Sequence, residues 1–209
     1  MTPYVVVTVL RDPVDRILSH YNFTTRTPGS PWYDEVASKG MSFLDYATNI
    51  YAAIGPQYSF FDDTGRGTFA PSGDATAQEC LHNLLTKVGI FGLTEHFDEF
   101  AVLIGYLLNR PGVAIASRNV TSEIPGDPQL PAKIKLDEGE SHELRELLKD
   151  DIWFYEEAAM EYHRRISNPK VQRMFSEALP LVQASRSNAD RLSALRDPSD
   201  PDRLAFGFL

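Results

Sequence analysis

The chain has 209 residues, 43% of them hydrophobic and 23% charged, with a formal net charge of -9. That length and balance suit one globular α/β domain, or one domain with a tail, and the acidic total excludes broad binding to nucleic acid. No stretch approaches the roughly 18 apolar residues of a membrane span. The single cysteine, Cys80, excludes an intrachain disulfide and points to a reducing compartment.

Residues 4–10 are apolar apart from Thr8, the pattern of a buried parallel strand. Asp12 then has the chemistry of a helix N-cap and Pro13 that of a first helical residue, so a helix is expected to about residue 23. A second helix is expected over 41–54, stopped by Gly55 and Pro56. Residues 57–76 read as an exposed loop able to line an acceptor cleft. Its Gly-Arg-Gly-Thr at 65–68 follows no apolar strand and reads as an ordinary turn rather than a phosphate loop. A helix over 77–85, a short buried strand over 88–93 and an apolar helix over 97–108 come next. A turn and short strand are expected over 110–116 and a Pro-, Gly- and Asp-rich loop over 118–131. One or two helices should occupy 141–166, a polar amphipathic helix 171–195, and a poorly ordered tail the remainder.

The junction at Arg11 carries the chemistry. Ligands of parallel α/β sheets sit beyond the carboxyl ends of strands. Arg11 is at such an end, and the helix start beside it is expected to offer free N–H groups and a positive dipole. An arginine there can hold a phosphate through paired, charge-assisted hydrogen bonds, with the Ser19 hydroxyl as a further donor two turns on. An Arg11–carboxylate ion pair with a solvent-facing serine explains the same residues.

The stretch "LRDPVDRILSHYNF" resembles the 3′-phosphate-binding motif of sulfotransferases that use 3′-phosphoadenosine 5′-phosphosulfate (PAPS). The pattern Arg-Asp-Pro-x-x-Arg-x-x-Ser-x-Tyr is matched by Arg11, Asp12, Pro13, Arg16, Ser19 and Tyr21. "VGIFGLTEHFDEFAVLI" (88–104) and "DDIWFYEEAAMEYHRR" (150–165) are similar, in the same order, to two later segments of uronyl 2-O-sulfotransferases; the second opens with an Asp-Ile-x-x-Tyr-like pattern. The resemblance implies that Arg11 and Ser19 hold the 3′-phosphate, that Arg16 is structural, and that Arg118, Asn119 and Thr121 contact the adenosine. It implies a three-layer parallel sheet flanked by helices, as in P-loop nucleotide kinases. It implies transfer of a sulfuryl group from PAPS to a hydroxyl of a carbohydrate acceptor, with release of adenosine 3′,5′-bisphosphate and no metal.

The family also has an earlier loop that holds the 5′-phosphosulfate through a lysine, and a His or Glu base between the two cofactor motifs. Neither precedes Arg11 here. The chain is therefore expected to correspond to the C-terminal two-thirds of the family domain, an N-terminally truncated form. Residues 1–168 would form that domain and 169–209 a helix and flexible tail. No catalytic base is assigned. His20, one residue after Ser19, should face away from it, and His96 lies in a supporting segment. The histidines His20, His82, His96, His142 and His163 lack metal-site spacing. Glu95 reads as a capping or pairing residue. The expected location is a bacterial-type cytoplasm, or a Golgi lumen if the chain belongs to a membrane-anchored protein. Two rivals stand beside this reading: a non-catalytic sulfotransferase-like remnant or interaction module, and a nucleotide kinase-like phosphotransferase. The second lacks a Gly-x-x-x-x-Gly-Lys-(Ser/Thr) loop.

Overall fold

The computed structural model describes residues 6–50, 55–62, 75–109 and 136–194, of which residues 26 and 186–194 are described by backbone alone. The expected turn at 65–68, the segment 110–116, the loop bearing Arg118, Asn119 and Thr121, and the tail lie outside these residues. The chain divides into two compact units, Met1–His96 with Thr121–Ser167 and Phe97–Val120 with Asn168–Leu209.

In the first unit, β1 (Val7–Leu10) pairs in parallel with β2 (Ile90–Leu93), Leu10 opposite Leu93. The parallel direction follows from the continuous apolar run. The interior placement expected for this strand does not hold among the described residues, because β1 has β2 as its one neighbour there. Val6 and Val7 are each 43% exposed, and burial is complete only at Leu10. The described sheet is thus a two-stranded parallel ribbon within a mostly helical α/β unit.

Helix α1 (Pro13–Arg26) begins as its chemistry dictates. The Asp12 carboxylate accepts the N–H groups of Val14 and Asp15, and Pro13 fills the first helical position. Its inner face, with Ile17 buried, meets a short π-helical turn (Asp34–Ser38) and α2 (Phe43–Asn49). Val36, Phe43, Tyr46, Ala47 and Ile50 share one apolar cluster with Leu144 and Leu148. Those two leucines come from α5 (Glu138–Leu147) and the residue that joins it to α6 (Lys149–Ile166). Met41 and Ser42 precede α2 as a turn: Met41 gives its N–H to Val36, and Ser42 caps the helix.

A second apolar layer lies under the sheet. Helix α3 (Ala77–Lys87), started by a Thr76–Glu79 capping box, buries Cys80 and Leu84 and packs on α6. Phe154 of α6 stacks on Phe61 at 5.6 Å, and the Arg165 guanidinium lies over the Phe91 ring at 5.1 Å. Cys80 is a small buried hydrophobe with a free thiol. Burial first, then the charges of Asp62 and Glu79, push its thiol up to about 11. In the second unit α4 (Phe97–Leu107) packs on α7 (Pro169–Ala194), which continues through Pro180. No helix among the described residues is long and apolar enough to cross a membrane.

Among the described residues of the first unit, Asp151 of α6 is the buried charge, 2% exposed. It accepts the N–H groups of Gln57 at 3.0 Å and Tyr58 at 3.1 Å and faces the Arg16 guanidinium at 3.7 Å. Removing one partner of a buried pair strands the other. Asp151→Ala should therefore lower unfolding free energy by about 3–5 kcal/mol in urea titrations, and Asp151→Asn, which keeps one acceptor oxygen, by less.

Candidate functional site

The parallel register sets the carboxyl ends of β1 and β2 side by side, so the residues that follow each strand become neighbours. After β1 come Arg11 and Asp12. After β2 comes a short 3-10 turn, Thr94–His96. The Asp12 N–H donates to Glu95 Oε1 at 3.3 Å, which joins the two strand ends directly.

The Arg11 backbone is held from the opposite direction. Its N–H donates to Gln57 Oε1 at 2.9 Å, and its carbonyl accepts from Gln57 Nε2 at 3.0 Å. Among the described residues, the Arg11 guanidinium takes part in no hydrogen bond or ion pair. Arg16 differs. Its guanidinium donates twice to the Gly55 carbonyl, at 3.3 and 3.2 Å, faces Asp151, and lies 5.8 Å from the Phe60 ring centroid. Gly55 has φ +79°, a left-handed conformation that a glycine adopts without strain. Arg16 therefore ties α1 to the Pro56–Gln57 segment, the structural role expected of it.

Ser19 lies on α1, about 9 Å along the axis from Pro13. It shares a stripe with Asp15, Arg16 and Asn22. It is half-buried, and its hydroxyl makes no hydrogen bond among the described residues. The structure thus places an arginine at the strand end and a serine on the helix flank, each with its polar group uncommitted to other described residues. The adenosine candidates Arg118, Asn119 and Thr121 lie outside those residues.

One expectation needs correction. The start of α1 does not present free N–H groups. Asp12 receives those of Val14 and Asp15, Glu95 receives that of Asp12, and Pro13 has none. Two carboxylates occupy the positive end of the helix dipole. An anion here would have to be gripped by side chains, with Arg11 supplying the charge.

Glu95 is a capping residue, as its sequence context indicated. Burial alone would raise its pKa. Its own backbone N–H, the Tyr155 hydroxyl, the Asp12 N–H and the Thr94 hydroxyl together outweigh burial and hold it below the ordinary carboxylate value. A carboxylate so fully provided with donors is a poor proton acceptor. Tyr155 is shifted the other way: burial, its donation to Glu95 at 2.7 Å, and the charges of Glu95, Asp12 and Asp15 all raise it. Among the described residues, no group of three or more His, Cys, Asp or Glu side chains is suited to a metal.

His20 is likewise committed away from Ser19. Its Nδ1 shares a hydrogen bond with the Tyr46 hydroxyl, and its ring lies 6.2 Å from that of Trp32. Burial first, and the Arg16 charge second, lower its pKa from the ordinary imidazole value. Three residues missing from the sequence-based site, Gln57, Asp151 and Tyr155, prove central to its geometry. The Asp-Ile-x-x-Tyr pattern contained two of them, while nothing in its loop context marked Gln57.

The His20 shift has a pH consequence. The unfolded imidazole titrates near about 6.5 and the folded one lower, so between the two values the unfolded chain binds the extra proton. This contribution to stability is complete above the unfolded value and lost as pH falls through it towards the folded one. The slope for a single proton cannot exceed about 1.4 kcal/mol per pH unit. Urea midpoints measured from pH 8 to 5 should fall over that window, and His20→Gln should flatten the fall. Comparison of the chain with protein-family models, with curated proteins and with solved structures finds no match.

Proposed function

We propose that this chain is a PAPS-dependent sulfotransferase domain of the glycan-modifying kind, built on a three-layer, P-loop nucleotide kinase-like sheet. In this reading it transfers a sulfuryl group from PAPS to a hydroxyl of a carbohydrate. The observation that carries the reading is a convergence. Three stretches resemble that family, and residues from all three meet at one turn: Arg11 and Asp12, then Glu95, then Asp151 and Tyr155. The resemblance and the hydrogen bonds thus point to the same turn.

The chemistry of the turn fits a 3′-phosphate. The Arg11 guanidinium stands at a strand end with no protein partner among the described residues, and its planar fork matches two phosphate oxygens. Bound PAPS would supply the activated sulfuryl group. The residues of this chain would bind and orient its 3′-phosphate through Arg11 and Ser19. A second reading, nucleotide binding without transfer, draws support from the commitment of His20 to Tyr46 and of Glu95 to its donors. Both groups are engaged within the protein, His20 through Nδ1 and Glu95 through both carboxylate oxygens.

Calorimetric titration at fixed salt tests the 3′-phosphate assignment. A charge-assisted contact is worth about 1.5–3 kcal/mol and a neutral one about 0.5–1.5. Arg11→Ala should weaken adenosine 3′,5′-bisphosphate binding by roughly tenfold to a hundredfold, and Ser19→Ala by about two- to tenfold. Both should change adenosine 5′-monophosphate binding far less, because that nucleotide lacks the 3′ group. Equal losses for the two nucleotides, or a wild type that binds neither, would overturn the assignment.

A further inference from the structure

The turn at Arg11 is held by two relays that begin on a single helix face. Asp151 and Tyr155 stand four residues apart on α6, one turn above the other. The buried Asp151 carboxylate fixes the backbone N–H groups of Gln57 and Tyr58. The Gln57 side-chain amide then closes on both backbone groups of Arg11. One turn further along α6, the Tyr155 hydroxyl donates to Glu95 Oε2, and Glu95 Oε1 takes the N–H of Asp12. Arg11 lies just beyond the last residue of β1, so these side chains take over where the strand ends.

We propose that Asp151 and Tyr155 are positioning residues for Arg11. By fixing the backbone on both sides of its Cα, α6 sets the direction in which the guanidinium leaves the strand end. The inference rests on the anion-binding reading of Arg11 given above. A guanidinium on a fixed backbone loses less freedom when it binds, so holding the turn raises affinity without contact between α6 and the ligand. The two relays also differ in kind. The Asp151 relay passes through a buried charge that Arg16 shares, so its loss disturbs the core. The Tyr155 relay begins on a half-buried tyrosine, so Tyr155→Phe deletes one oxygen and little else.

Amide hydrogen exchange by NMR, run beside calorimetric titration of adenosine 3′,5′-bisphosphate, separates positioning from general stability. Tyr155→Phe should speed exchange at Asp12 about tenfold, and Gln57→Leu should do the same at Arg11. Ile50, whose N–H is bonded to the Tyr46 carbonyl at 2.8 Å in α2, should keep its rate in both. Each variant should bind the bisphosphate about three- to tenfold more weakly and adenosine 5′-monophosphate almost unchanged. Equal acceleration at Ile50 and Asp12 would show a purely structural role and overturn the proposal, as would unaltered exchange at Arg11 and Asp12. Selective acceleration with no nucleotide binding by the wild type would overturn the anion reading alone and leave the two-relay support of the turn standing.

Discussion

The Asp151 carboxylate is the constraint around which the first unit is organised. A buried charge is costly unless it is hydrogen-bonded and paired, and here two backbone N–H groups donate to it while the Arg16 guanidinium, 3.7 Å away, offsets its charge. Each partner comes from a different part of the chain. Arg16 brings α1, Gln57 and Tyr58 bring the 3-10 turn Gln57–Phe61, and Asp151 itself brings α6. Apolar packing between these elements is non-directional and would tolerate sliding. The directed bonds to one carboxylate select a single arrangement, and that arrangement sets the carboxyl end of β1.

Two kinds of electrostatic demand meet at that strand end. The start of α1 needs acceptors for its N–H groups, and Asp12 and Glu95 supply them. An anion site needs positive charge close by. The two demands are compatible because the carboxylates act on the backbone while Arg11 projects a long side chain away from it. The helix dipole contributes little to an anion here, since acidic side chains already occupy its positive end. An anion bound at this turn would therefore depend on a guanidinium rather than on a cradle of backbone amides. Such binding would favour planar, paired contact with phosphate oxygens, which lysine in the same position would not reproduce.

Several polar residues of the first unit also sort by whether they are already hydrogen-bonded. His20, Tyr46 and Thr24 form a contact set between α1 and α2, with Tyr46 and Thr24 buried, which leaves the imidazole no role on the Ser19 side. Glu95 and Tyr155 bind one another and the Asp12 backbone. Arg11 and Ser19 remain, and these are the residues that the sequence motif singles out. Structural and candidate binding roles are thus divided between adjacent residues of one helix, as they must be where successive side chains point about 100° apart.

Local chemistry was legible in the amino-acid sequence. The apolar run before Arg11 predicted a parallel strand, and Asp12 and Pro13 predicted the start of α1, because each depends on near neighbours and on side-chain type. The Thr76 capping box opens α3 at Ala77 as expected, whereas the Asp137 capping box opens α5 at Glu138, three residues before the expected start. Tertiary structure alone decided how the N–H groups of the first helical turn are used, since Glu95 lies 83 positions from Asp12 in the chain. It also decided that Gln57, expected in an exposed loop but found buried in the 3-10 turn Gln57–Phe61, and two residues on α6 would hold the arginine. Spacing along a chain reports which side chains share a face. Which faces meet is set by long-range packing around a buried carboxylate, and no local pattern records it.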